Sequence, residues 1–151
     1  MDYILRLQER VEIAVEIGES YYREFKSGYE GPPNNKVARS LSEIKYDIAK
    51  TLVAFANADG GELFIGIEDD NSIKGVPHNL EKIEEMLRAP MESVMKETPI
   101  PLKQASLVNY KGVNVLYFSV SKGTEFVHLT SKGESFQRRD RDSVPTSSEK
   151  I

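Results

Sequence analysis

The stretch Ala54–Asp70, AFANADGGELFIGIEDD, decides the fold, because a helical pattern ends in it, two glycines follow and an apolar strand begins. The residues of this stretch allow three interpretations. The glycines can form a phosphate-binding loop, the acidic residues can supply part of a metal site, or the stretch can be a corner that joins a helix to a strand. The order of the elements discriminates among them.

The glycine pair Gly60-Gly61 does not fit a phosphate-binding loop. The pattern G-x-x-x-x-G-K-[ST] is absent, and no lysine followed by serine or threonine comes after the glycines. A phosphate loop also leads from a strand into a helix N-terminus, whereas this stretch leads out of a helix, whose C-terminal end presents carbonyl oxygens. The stretch is therefore predicted to be a structural corner in which glycine adopts left-handed backbone.

The segments on either side of the corner support this prediction. A helix is expected to begin at a cap on Ser40 or Ser42, since Glu43 lies at the capping-box spacing from Ser40. Its apolar residues recur every three or four positions and form one buried stripe. The strand that follows the glycines, ELFIGIE, is apolar on both faces, so we expect it in the centre of a sheet.

The rest of the chain is assigned from periodicity and turn residues. The predicted elements are a helix at 3–17, a strand at 20–26, a loop at 27–36, a short strand at 73–77, a helix at 79–96 capped by Asn79 and interrupted at Pro90, a hairpin at 103–120 turning at Lys111-Gly112, and a second hairpin that pairs 125–130 with 134–139. This order predicts an α+β fold, an α/β sandwich. We expect a mixed, mostly antiparallel sheet of about six strands, with the helices packed largely on one side.

Length and composition indicate one globular unit. The chain has 151 residues, enough for one domain, which we divide into an N-terminal helix at 1–18 and the main body at 19–151. It has no cysteine, which excludes disulfides and thiolate zinc sites and is typical of a cytoplasmic protein. The charged N-terminus is neither a signal peptide nor a membrane span.

Charge is distributed unevenly along the chain. The net charge of −4 argues against a protein that coats nucleic acid by bulk electrostatics. Residues 100–151 nevertheless hold eight Lys or Arg against five Asp or Glu, while residues 1–99 hold 12 against 19. A nucleic-acid partner would therefore be bound by a local basic face.

Acidic residues suggest a metal site, and basic residues suggest phosphate contacts. Carboxylates that converge from separate elements bind Mg²⁺ or Mn²⁺ and can position water for attack on a phosphodiester. The acidic candidates are Glu19, Glu24, Asp59, Glu68, Asp69 and Asp70, with Lys26 on the same strand face as Glu24. The basic candidates are Arg138, Arg139, Arg141, Lys122 and Lys132, although Asp140 and Asp142 interleave with the arginines. For each residue taken singly, a solvated surface position is the competing interpretation.

Three segments carry a resemblance to a known family. They are ESYYREFK at 19–26, IAKTLVAFANADGGELFIGIEDDNSIKGV at 48–76 and FQRRDRDSVPTSSEKI at 136–151. Together they resemble the Schlafen-type AlbA-like domain, whose pattern is roughly E-x-x-x-x-E-F-K, A-F-A-N-x-x-G-G, I-G-V-x-D-x-G-x-I-x-G and a late R-x-G-S-S-x-x-P. Members of this family are described as binding DNA, RNA or ATP.

The resemblance implies a nucleic-acid-binding domain and, by analogy with Schlafen proteins, a metal-dependent ribonuclease that cleaves structured RNA. By position, its acidic residues are Glu19, Glu24 and a third, for which Asp59 is preferred and Asp69 is the rival. The lysine of E-F-K is Lys26. The alternatives are a non-catalytic DNA-binding module of a transcriptional regulator, as in many bacterial members, and a nucleotide-binding domain.

Two departures from the family pattern bear on these expectations. Asp140 stands where the family usually has glycine after its arginine, which is expected to weaken anion binding there. The zinc site of animal Schlafens and the second lobe of their core are absent from the 151 residues. A single copy is therefore expected to form a homodimer or to be one domain of a longer chain, with Mg²⁺ or Mn²⁺, and no zinc, as its metal.

Overall fold

A computed structural model describes residues 2–146 of the chain, and the side chains of residues 6–146. The last residues of the predicted main body, 147–151, lie outside the described part. The helices are α1 Asp2–Ile17, α2 Leu41–Ala56 and α3 Leu80–Glu92. The strands are β1 Arg23–Lys26, β2 Tyr29–Glu30, β3 Val37–Ala38, β4 Gly61–Ile65, β5 Leu102–Tyr110, β6 Val113–Val120, β7 Phe136–Arg139 and β8 Asp142–Pro145.

The main sheet has four strands in the order β1-β4-β6-β5. β1 runs parallel to β4, while β6 pairs antiparallel with both β4 and β5. The α+β class, the mixed and mostly antiparallel sheet and the central position of the glycine-following strand are thereby confirmed. The sheet is smaller than the expected six strands, because β2–β3 and β7–β8 form separate two-stranded ladders.

Helices cover both faces of the sheet. The side chains of α2 and α3 share one buried cluster with Leu63, Ile65, Leu116 and Phe118 from the central strands. The opposite face packs against Leu7, Val11 and Ala14 of α1. Two of the three helices thus lie on one side, and α1 closes the other.

The corner between α2 and β4 has the predicted structure. Ser40 caps α2 by accepting a hydrogen bond from the backbone N–H of Glu43. At the other end Gly60 has φ +81° and donates its N–H to the carbonyl of Phe55 at 2.8 Å. A Cβ at Gly61 would lie 2.4 Å from the Phe55 ring. The first glycine is needed for backbone conformation, and the second for close packing of strand on helix.

The second predicted hairpin is wrong. Residues 125–130 form no strand, and Thr130 makes only an isolated bridge with Val94. β7 instead pairs with β8 through a turn at Asp140 and Arg141. Asp140 adopts φ +54° there, a left-handed conformation that a short polar side chain tolerates.

Smaller differences concern the ends of elements. The predicted strand at 73–77 is reduced to one bridge between Ile67 and Ile73. β1 begins at Arg23 rather than at residue 20, which leaves Tyr21 and Tyr22 in a turn. Pro90 lies in the last turn of α3, which ends two residues later. Within the described residues no helix is long and apolar enough to cross a bilayer.

Candidate functional site

The centre of the candidate site is a buried ion pair between Glu24 of β1 and Arg138 of β7. The Arg138 Nη1 donates to Glu24 Oε1 at 2.6 Å, and the arginine side chain has no exposed surface. Glu24 is in register with Leu63 of β4, so its side chain points to the face covered by α2. Since an unpaired charge is costly in such a position, the pairing fixes the Glu24 carboxylate.

Arg138 uses all of its guanidinium N–H groups within the protein. Besides Glu24, it donates to the carbonyls of Ser20, Tyr21 and Arg23 and to the hydroxyl of Ser143. Its guanidinium carbon also lies 4.8 Å from the centre of the Phe55 ring. Arginine has five such donors, so none remains for an external phosphate. The predicted phosphate-binding role of Arg138 therefore does not fit this geometry.

The structure brings Glu19 and Glu24 together. Glu19 Oε2 accepts a hydrogen bond from the backbone N–H of Phe25 at 3.1 Å. The pKa of Glu19 is raised, chiefly by partial burial and then by a hydrogen bond to the Glu24 carboxyl. The Phe25 N–H lowers it, charge repulsion from Glu24 raises it further, and Arg141 lowers it slightly. Neighbouring carboxyl groups repel when both are ionised, so a shared proton or cation would stabilise the pair.

A cavity of about 290 Å³ opens beside Glu24 at the carboxyl ends of β1 and β4. Lys26, Lys36, Glu68 and Asp69 lie in its wall. The two ammonium groups make no ion pair within the described residues. The Oε2 atom of Glu68 is buried and has no hydrogen-bond partner among them. Ligands commonly bind where parallel strands end.

Asp59, the preferred third acidic residue, is not part of this cavity. It precedes β4, whereas Asp69 follows it, and a five-residue strand spans about 13 Å between its terminal Cα atoms. Asp59 accepts a hydrogen bond from the Tyr21 hydroxyl at 2.8 Å and lies 3.7 Å from the Lys122 ammonium. The rival, Asp69, shares the cavity with Glu24.

No three acidic or histidine side chains are grouped tightly enough to hold a metal ion in the part of the chain that the structure describes. The predicted trio of Glu19, Glu24 and Asp59 is therefore not assembled. The pair Glu19–Glu24 is, and Asp69 lies on the wall of the adjoining cavity.

The predicted basic residues do not form one strip. Arg139 and Arg141 are exposed at the β7–β8 turn, and Arg141 is near enough to Glu19 to lower its pKa. Lys122 lies beside Asp59. Lys132 is exposed elsewhere, with its Nζ 4.6 Å from the centre of the Tyr46 ring on α2. Of these residues, Arg141 is the one placed beside the paired carboxyl groups.

Asn57, which sequence reasoning missed, fastens the end of α2 to the segment leading into β7. Its Nδ2 donates to the carbonyls of His128 and Phe136 at 2.9 and 2.8 Å, and its Oδ1 accepts from the His128 N–H at 2.7 Å. Asn57 closes the AFAN motif, a pattern that indicates the end of a helix and does not indicate these contacts. Asn57 therefore helps to place β7, and with it Arg138.

Lys36 was also missed. It belongs to a loop without any periodic pattern, so nothing in its surroundings indicates a site. It lies in the wall of the cavity together with Glu68, which is one of the acidic candidates named from the sequence.

Comparison with known proteins gives one family match and a shared fold. A match to the protein family described as Schlafen, AlbA_2 covers residues 19–147. The DIP2311 protein from Corynebacterium diphtheriae has a similar fold, with a TM-score of 0.60 and 18% identity over 83% of this chain. This chain spans only 22% of the length of that protein.

A second solved structure is similar over almost its whole length. It is the N-terminal domain of the "Putative ATP-dependent DNA Helicase RecG-related Protein" from Nitrosomonas europaea. The TM-score is 0.52 and the identity 16%, over 98% of this chain and 92% of that one. At such identities the likeness concerns the fold alone.

Proposed function

This chain belongs to the Schlafen AlbA_2 family, and we propose that it binds nucleic acid and cleaves RNA at the cavity beside Glu24. One observation carries the proposal. The contacting carboxyl groups of Glu19 and Glu24 adjoin a cavity whose wall holds Asp69 and the unpaired Lys26 and Lys36. This combination of acidic groups and free ammonium groups suits a phosphodiester, which needs both charge neutralisation and an activated nucleophile.

The donor atoms fit Mg²⁺ or Mn²⁺. Both ions prefer oxygen ligands, and Mg²⁺ commonly keeps several waters and binds through one or two carboxylates. Glu19 and Glu24 would hold the ion through carboxylate oxygens, and Asp69, in the wall of the adjoining cavity, would orient a coordinated water. The buried Oε2 of Glu68, which lacks a partner among the described residues, adds an acceptor at the same place. A divalent ion bound there would neutralise charge on the phosphate and lower the pKa of a coordinated water.

The chain's own residues would bind and orient the RNA. Lys26 and Lys36 present ammonium groups to a phosphate entering the cavity. Arg141, beside Glu19, offers a bidentate contact to a neighbouring phosphate. Arg138 acts through Glu24, because the Arg138 guanidinium binds one oxygen of the Glu24 carboxylate and thereby fixes the orientation of that carboxylate. Asp59 has no part in this version of the site.

The test measures cleavage of a labelled structured RNA with Mn²⁺ and binding of the same RNA without it. Asp69→Asn replaces an exposed carboxylate that has no partner within the described residues, so it is expected to fold normally and to lose at least about a hundredfold in cleavage rate. Lys26→Ala should weaken binding and reduce its dependence on salt. Glu81→Gln, an exposed change on α3, serves as the matched control.

Glu24→Gln provides a second, more severe substitution at the centre of the site. It keeps the shape of the side chain and an acceptor for Arg138, and we expect it to abolish cleavage. Wild-type rates in both Asp69→Asn and Glu24→Gln would refute catalysis at this cavity.

A second candidate function is binding of DNA or RNA without cleavage, as in a regulatory module. The Arg138 guanidinium, 2.6 Å from Glu24 Oε1, favours it because a neighbouring positive charge opposes a divalent cation. RNA or DNA binding by the wild type, with no cleavage under any metal, would establish this alternative.

The assembly of the protein and its location are part of the same proposal. We expect a homodimer, or one domain of a longer cytoplasmic protein, because a single copy offers only one side of a groove for a nucleic-acid duplex. Light scattering on the purified chain, with and without RNA, measures the first of these.

A further inference from the structure

A second groove, of about 570 Å³, lies at the opposite end of β4 from the acidic cavity, beside Gly60 and Gly61. On its floor Glu62 is held by three partners. Arg23 Nε lies 2.9 Å away, Arg10 Nη1 lies 3.3 Å away, and the Tyr117 hydroxyl donates at 2.9 Å. Because two guanidinium groups surround one carboxylate, the floor of the groove is positively charged. The three contacts to Glu62 also hold these side chains in place.

The rim of the groove adds two further cations. Lys103 is exposed on β5 and makes no ion pair within the described residues, and Lys122 contacts only Asp59, at 3.7 Å. The groove thus holds Arg10, Arg23, Lys103 and Lys122 against Glu62 and Asp59. It carries an excess of two positive charges in a protein whose net charge is −4. Such a local excess attracts a polyanion.

An exposed aromatic ring stands in the wall of the groove. Tyr22 is 55% exposed and meets the ring of Tyr21 edge to face, with centroids 4.9 Å apart. Tyr21 is itself fixed by the hydrogen bond from its hydroxyl to Asp59. Tyr22 is therefore a supported ring with a solvent-facing surface, which is what base stacking requires.

We infer that this groove binds a single-stranded segment of nucleic acid, with phosphates on Lys103 and Lys122 and one base stacked on Tyr22. Its cations are divided between the floor, where Arg10 and Arg23 hold Glu62, and the rim, where Lys103 and Lys122 lie, and this spread favours a chain of phosphates over a single small anion. Asp59 then has a defined role, since it holds both the Tyr21 hydroxyl and the Lys122 ammonium.

The groove and the acidic cavity share strand β1, and this inference rests on the proposed nucleic-acid function. Arg23 belongs to the groove and Lys26 to the cavity. Three residues of extended strand place their Cα atoms about 10 Å apart, and their side chains point to opposite faces of the sheet, Arg23 toward α1 and Lys26 toward the face covered by α2. Because β1 is an edge strand of the sheet, a strand of RNA bound in the groove would pass around this edge to reach the cavity. The groove would then select substrates with an unpaired segment next to the cleaved bond.

The experiment measures fluorescence anisotropy of a labelled 12-nucleotide oligo-uridine, without metal, over a series of salt concentrations. The double variant Lys103→Gln with Lys122→Gln is expected to bind about tenfold more weakly. Its plot of log affinity against log salt should be shallower by about 1.4, because two single-strand phosphate contacts are lost. The double variant Lys82→Gln with Lys96→Gln changes net charge equally at exposed positions on and after α3, and should bind as the wild type does.

Tyr22→Ala should weaken binding about five- to a hundredfold without changing the salt slope, because stacking is uncharged. Tyr22→Phe keeps the ring and should retain affinity. ATP with Mg²⁺ is titrated in parallel. If the groove variants bind the oligonucleotide as tightly as the wild type does, this inference is overturned and the proposed function is not. It is also overturned if the groove binds ATP through Lys103 and Lys122 and does not bind the oligonucleotide. A wild type that binds no nucleic acid overturns the proposed function as well.

Discussion

Removing the buried guanidinium of Arg138 is expected to be among the most damaging single changes to the fold. Arg138→Met leaves the carboxylate of the buried Glu24 without its counter-charge, and removes the hydrogen bonds that the guanidinium donates to three backbone carbonyls. Breaking a buried pair by removing one partner costs about 3–5 kcal/mol in free energy of unfolding. For a chain of this length that is a decrease in Tm of about 6–20 °C.

Thermal and urea unfolding of three variants measure this effect. Arg138→Lys keeps the charge but has three donors in place of five, so we expect an intermediate loss. Arg139→Met is the matched control, because the neighbouring arginine is exposed and such changes stay within about 0.5 kcal/mol. If Arg138→Met lowers the free energy of unfolding by less than about 1 kcal/mol, the assignment of Arg138 as the residue that joins β7 to β1 is refuted.

Three further predictions concern the acidic pair and the corner. Glu19→Gln should raise Tm at pH 7 but not at pH 4. The pKa of Glu19 is raised in the folded state, so ionising this carboxyl lowers the free energy of unfolding as the pH rises through that pKa. Equal shifts of Tm at both pH values would contradict this. Asn57→Ala removes four hydrogen bonds, three with the backbone of His128 and Phe136 and a longer one to the Ser135 hydroxyl, and should cost about 2–3 kcal/mol in urea unfolding, against almost nothing for the exposed Asn35→Ala. Gly61→Ala places a methyl group against the Phe55 ring and should cost about 1–3 kcal/mol by the same measurement, unless that ring moves freely.

Local signals in the sequence predicted the elements that depend on local physics. The Ser40 and Asn79 caps, the glycine corner and the turn at Lys111-Gly112 all lie where the pattern places them. The φ angles of that turn, +49° and +88°, are those required by a tight two-residue hairpin. Such features depend on a few neighbouring residues, so their identities suffice.

The site was harder to predict because it is assembled over long distances in sequence. Arg138 reaches Glu24 across 114 residues, and nothing around Arg138 distinguishes it from the exposed Arg139. The choice of Asp59 over Asp69 likewise depended on which end of β4 meets Glu24. That is settled by the parallel pairing of β1 with β4, which places residues that follow each strand at one edge.

The way in which the β7–β8 hairpin is attached has a consequence for the diversification of this fold. Among residues 2–146 no ladder joins the hairpin to the main sheet. Its polar anchors, Arg138 and the carbonyl of Phe136 bound by Asn57, lie on β7. The turn at 140–141 lies beyond Arg138 at the exposed end of the hairpin, so we expect that lengthening it alters neither the core nor the buried charge. We expect relatives to vary in this turn, and thereby to move its arginines toward different substrates while the scaffold stays the same.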